Sequence, residues 1–136
     1  MRSTWRQRTT PFPKPRLRQV ARHVDGDRPT RIRSHVETRA SSCEKWLPLW
    51  RILANQHHPE LKRRVVMVRA TNIQRLELMY GPVLSLLLEE DRRELLLALG
   101  ALTRFESWDL LRHSYGQSVA AAQAVWRSSL DRILPR

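Results

Sequence analysis

Apolar residues recur along most of this chain at helical rather than strand spacing. Leu17, Val20, Ala21 and Val24 fit one face of a short helix, with Pro15 suited to its first turn and Asp25-Gly26-Asp27 to its stop. Ile32, Val36, Ala40, Cys43, Leu47, Trp50 and Ala54 then step by three or four residues, a stripe sustained for about six turns. Pro48 lies inside that stripe and predicts a kink or a break near Lys45. A third helix starts at Pro59, carries Leu61, Val65, Val68, Asn72, Leu76 and Met79 on one face, and stops at Gly81-Pro82. Residues 91–114 read as a fourth helix whose centre, from Leu95 to Leu102, is apolar nearly all the way round. Gly116 fits a stop and Ser118 an N-cap, after which Val119, Ala122, Trp126, Ser129 or Leu130, and Ile133 mark the inner face of a last helix ending before Pro135. No alternating segment of strand length with a hairpin signal occurs, so the predicted fold is all-α, an antiparallel bundle of five to six helices.

One small domain covers only one side of a helix that is apolar all round. The pattern therefore predicts a second copy packed on Leu95, Leu96, Leu99 and Leu102. A length of 136 residues suits one domain with a real core, and the single Cys43 excludes an internal disulfide framework and any cysteine-based zinc cluster. The apolar runs are far shorter than the ~20 residues of a membrane span, and no apolar segment follows the basic start as in a secretory signal. A cytoplasmic protein without membrane contact is the expectation.

Net charge sharpens the picture, because +8 of the total +12 falls within residues 1–40. Three prolines in residues 11–15 oppose both helix and strand, so residues 1–13 read as a disordered basic arm and residues 14–136 as the single folded domain. Arg2, Arg6, Arg8, Lys14, Arg16 and Arg18, interleaved with Trp5 and Phe12, have the make-up of a non-specific nucleic-acid contact, and also of a solvated tail. Residues 1–40 hold no helix-turn-helix, since the prolines and Asp25-Gly26-Asp27 interrupt it.

Catalytic constellations are missing from the sequence. It has no glycine-rich phosphate loop, no HExxH and no GxSxG, and its five histidines are scattered apart from His57-His58. Neighbouring helical residues point about 100° apart, so that pair suits a capped turn before Pro59 better than a chelate. Cys43 sits on an apolar stripe like a small core residue, and Glu89-Glu90-Asp91 suits the positive end of a helix. The chain reads as a non-enzyme with neither cofactor nor metal. Trp46, Trp50, Met67, Thr71, Asn72 and Trp108 combine aromatic, thioether and mid-helix polar chemistry, which suits a pocket for an apolar small molecule as well as an ordinary core.

The stretch from Leu99 to Trp126, with Phe105, Trp108, Leu111-Arg112, Gly116, Ser118 and an Ala-rich last helix, resembles the end of TetR/AcrR-type transcriptional regulators, with Gln117 where that family usually has leucine. Met79-Tyr80-Gly81-Pro82-Val83-Leu84 is similar to the family's helix ending in aromatic-x-Pro-x-Leu. The resemblance spans roughly residues 15–134. It implies an all-α domain that binds a small effector and dimerises through a four-helix bundle from its last two long helices. On that reading Val119, Ala122, Trp126, Leu130 and Ile133 join Leu95, Leu96, Leu99 and Leu102 in a homodimer interface. The family's DNA-reading helices have no counterpart here, so the chain is expected to be a truncated repressor, one with a misassigned start, or a natural protein holding only the sensing half. Such a half could also form a mixed dimer with a full-length relative.

Overall fold

The computed structural model describes residues 26–136, and these residues are helical, with no strand among them. The expected arm over residues 1–13 and the short helix around Leu17 to Val24 lie outside the described residues. Helix α1 spans Arg28–Ala54, α2 Pro59–Met79, α3 Gly81–Leu84, α4 Glu89–Leu102, α5 Phe105–Asp109 and α6 Val119–Ile133.

Local chemistry sets most of these boundaries. Asp27 caps α1 by accepting from the Thr30 N–H at 2.9 Å, with proline in the first turn. His58 caps α2 through the Glu60 N–H, Ser118 caps α6 through the Ala121 N–H, and Glu89, Glu90 and Asp91 fill the first turn of α4. Gly116 takes a φ of +64°, a conformation open to glycine at little cost, and the Gln117 N–H reaches back to the Leu111 carbonyl at 2.9 Å.

Two boundaries differ from the sequence reading. Pro48 neither breaks nor ends α1, which runs through it from Arg28 to Ala54. Its missing donor would have served Glu44, and both residues are exposed, so the orphaned carbonyl stays on the solvent side while Leu47, Trp50 and Leu53 hold the other face in the core. The helix expected over residues 91–114 is instead two helices with a break at Thr103-Arg104, followed by a wide π-type turn over Leu110–Ser114. Side chains from elsewhere stabilise that break. The Thr103 carbonyl accepts from Arg39 Nε at 2.8 Å, the Ala101 carbonyl accepts from Ser107 Oγ, and the Leu99 carbonyl accepts from both Thr103 N and Thr103 Oγ1.

Helix α1 is the axis of the bundle. Its stripe of Ile32, Val36, Ala40, Cys43, Leu47 and Trp50 is buried throughout. It packs antiparallel to α2 and to α6, with α5 crossing its later half. Helix α4 packs back on α2. Trp108 and Trp126, both without exposed surface, meet with ring centroids 4.8 Å apart. Truncating either ring to alanine would cost about 3–5 kcal/mol by the usual large-to-small rule. Among the described residues, no helix is long and apolar enough to cross a membrane.

Candidate ligand-binding site

A cavity of about 220 Å³ opens where α1, α2, α4 and α5 meet. Its apolar wall consists of Trp50, Val68, Ile73, Leu97, Ala101 and Phe105. Trp50 and Phe105 stack with centroids 4.9 Å apart and planes 22° apart, and each ring carries a guanidinium above it. Arg39 lies 4.7 Å from the Phe105 centroid and Arg69 lies 5.7 Å from that of Trp50. The α4–α5 break brings Phe105 here, because a continuous helix would carry residue 105 onward instead of turning it back against α1.

The polar part of the wall is mostly cationic. Arg39, Arg69 and Arg104 line it together with one acid, Glu106. Glu106 accepts from Arg69 Nη2 at 3.1 Å and from Arg104 Nε at 2.9 Å. Burial alone would raise its pKa, but those hydrogen bonds win and hold the carboxyl down at about 2. Arg39 has no carboxylate partner among the described residues, although it is only 7 % exposed. Arg75, one turn along α2 from Asn72, is also without an ion pair among the described residues, and burial followed by the Arg39 charge lowers its pKa. Asn72 is buried on the cavity wall, and its Oδ1 has no hydrogen-bond partner among the described residues.

Of the six residues read from the sequence as pocket candidates, the cavity gathers Trp50 and Asn72. Met67 is 61 % exposed, because five residues at about 100° each carry it about 140° round α2 from Asn72. Thr71 is half-buried and returns its hydroxyl to the Met67 carbonyl at 2.9 Å, a bond within its own helix. Trp108 is core, donating from Nε1 to Glu44 at 3.1 Å and packing on Trp126. Trp46 is half-buried against the core, away from the cavity wall. The arm residues Arg2, Arg6, Arg8, Lys14, Arg16 and Arg18 lie outside the described residues.

The expected dimer surface also changes. Leu96, Leu99, Ala122, Trp126 and Leu130 are buried within one chain, Leu99, Ala122, Trp126 and Leu130 completely so. Helix α4 packs on α2 and α6 within the same chain, which buries Leu96 and Leu99 without a second copy, while Leu97 on α4 stays exposed. Leu95 and Leu102 are half-buried against the core, while Val119 and Ile133 remain exposed.

Arg39 is the cavity residue the sequence reading passed over. It stands three residues after Val36 and four before Cys43, an inward-facing position on the α1 stripe, and a charge at such a position was the available signal. Elsewhere the chemistry is inert. Cys43 has no exposed surface, and burial pushes its thiol up to about 11. His35 Nδ1 bonds the Tyr80 hydroxyl at 2.7 Å inside the core, and among the described residues no three of His, Cys, Asp and Glu gather as a metal site. No family model, curated protein or solved structure matches the chain.

Proposed function

We propose that this chain is a helical sensing domain that holds a small, largely apolar effector between α1, α2, α4 and α5, in the manner of the effector-binding half of a TetR-type transcriptional regulator. One observation carries the reading: Trp50 and Asn72, singled out from the sequence for their helix-facing spacing and their chemistry, share one cavity, where the buried Asn72 Oδ1 lacks, among the described residues, the partner that such groups almost always have. The surroundings support it. A mostly apolar concave site with a few convergent polar groups is the usual form of a small-molecule site. Occupancy would act by favouring one arrangement of α1, α2 and α4 over another, a shift of populations rather than a reaction.

The dimer in this reading uses side chains that the fold leaves uncovered. On α6 these are Ala120, Ala124, Val125 and Ser128, small enough for two helices to approach closely. DNA reading would come from a segment or partner bearing a helix-turn-helix.

The test is a thermal-shift screen of monocyclic aromatic compounds against the full chain and against Ala101→Phe. Ala101 lies exposed at the cavity wall, so the larger ring fills the cavity while the core stays intact. Stabilisation of the native chain that disappears in Ala101→Phe supports the reading. Compounds that shift both proteins equally place their binding elsewhere and refute it. Sedimentation of the native chain beside Ala124→Arg tests the dimer, which should be present in the first and lost in the second.

A further inference from the structure

The cavity wall bears three guanidiniums and one carboxylate, a surplus of two positive charges. Arg69 and Arg104 share the one carboxylate of Glu106, while Arg39 has no carboxylate partner among the described residues. Its Nε is held by the Thr103 carbonyl, and its two Nη groups find no acceptor among the described residues. Arg39 is only 7 % exposed, and after burial its charge is the second cause that lowers the pKa of the nearby Arg75. Planar guanidinium forks bind carboxylates through two parallel hydrogen bonds. The rest of the wall is apolar, and Asn72 Oδ1 awaits a donor. A cavity of about 220 Å³ exceeds the roughly 150 Å³ that suffices for one benzene ring.

Resting on the reading of this cavity as an effector site, we propose that its ligand is a small aromatic carboxylate. The carboxylate takes the Nη edge of Arg39, and the ring lies among Val68, Ile73, Leu97 and Ala101. A ring hydroxyl or amine donates to Asn72. A large hydrophobe without charge would leave Arg39 buried and unpaired. A bare inorganic anion would leave the apolar wall unused.

The experiment is calorimetric titration of the full chain with benzoate, benzyl alcohol and acetate, with the Trp50 indole N–H followed by NMR to locate binding. Benzoate is expected to bind at least about tenfold more tightly than either control, since it alone offers both the carboxylate for Arg39 and the ring for the apolar wall. In Arg39→Gln the benzoate preference should vanish while benzyl alcohol still binds. If that variant does not fold, the ratio in the native chain decides alone. Benzyl alcohol binding as tightly as benzoate overturns the anion assignment and leaves the effector cavity standing. Failure of both ring compounds to move the Trp50 signal overturns the cavity reading and this inference with it.

Discussion

Replacing Asn72 by leucine should stabilise the ligand-free protein. The amide is 9 % exposed, its Oδ1 has no partner among the described residues, and Leu76, one turn further along α2, has no exposed surface at all. Leaving such a group unsatisfied costs about 1–3 kcal/mol, which a leucine of similar size removes. Leucine is also the better helix former, by roughly 0.5 kcal/mol. Together these predict a gain of about 1.5–3.5 kcal/mol, and hence a rise in Tm of roughly 5–12 °C for a domain of this size. Thermal unfolding followed by far-ultraviolet circular dichroism measures it directly. The same variant should lose part of its response to a hydroxylated benzoate, the exchange of function for stability expected where a polar group is kept for a ligand. A fall in Tm would refute the reasoning, because it would mean that the amide is bonded in the folded chain and stabilises the fold itself.

Three further outcomes follow from the packing and the ionisation pattern. Leu99→Arg puts an unpaired charge at a position with no exposed surface, so circular dichroism should show an unfolded chain; a folded monomer would return Leu99 to a surface between copies. Cys43, its thiol pushed up to about 11, should react with a pyridyl disulfide at pH 8 at least about a hundredfold more slowly than in urea, and equal rates would contradict its burial. Glu106, held at about 2 against an ordinary 4.5, contributes stability that is complete above pH 4.5 and lost as pH falls towards 2. The Tm of the native protein should therefore drop more steeply across that window than that of Glu106→Gln, and parallel curves would argue against the ion pairs.

Periodicity made the bundle legible because burial in a helical protein is written at every third or fourth residue. Ile32 to Trp50 shows this most plainly, and the caps at Ser118 and His58 were equally visible as local chemistry. The break at Thr103 was not, since neither proline nor glycine marks it. Donors as far away as Arg39, sixty-four residues earlier, satisfy the freed carbonyls, and no local window contains them. Four of the six pocket candidates lie outside the cavity for a related reason. Chemistry without direction cannot separate Met67, on the outer side of α2, from Asn72 on the inner side. Trp108 has suitable chemistry, but Glu44 and Trp126 already occupy it. The burial of Leu96 and Leu99 within one chain was not legible because treating 91–114 as one helix left its apolar side uncovered, whereas the two shorter helices fold it inward.

Arg28 donates to the Asp131, Leu134 and Pro135 carbonyls at 2.6, 3.0 and 2.7 Å and meets the Asp131 carboxylate at 3.3 Å. One side chain at the start of α1 thus closes the end of α6. This makes the bundle a loop in the sense of its unfolding: fraying at either end requires releasing the other. Amides of the first turn of α1 and the last turn of α6 should exchange with solvent as one unit, at a common opening free energy, instead of each fraying independently as helix ends ordinarily do.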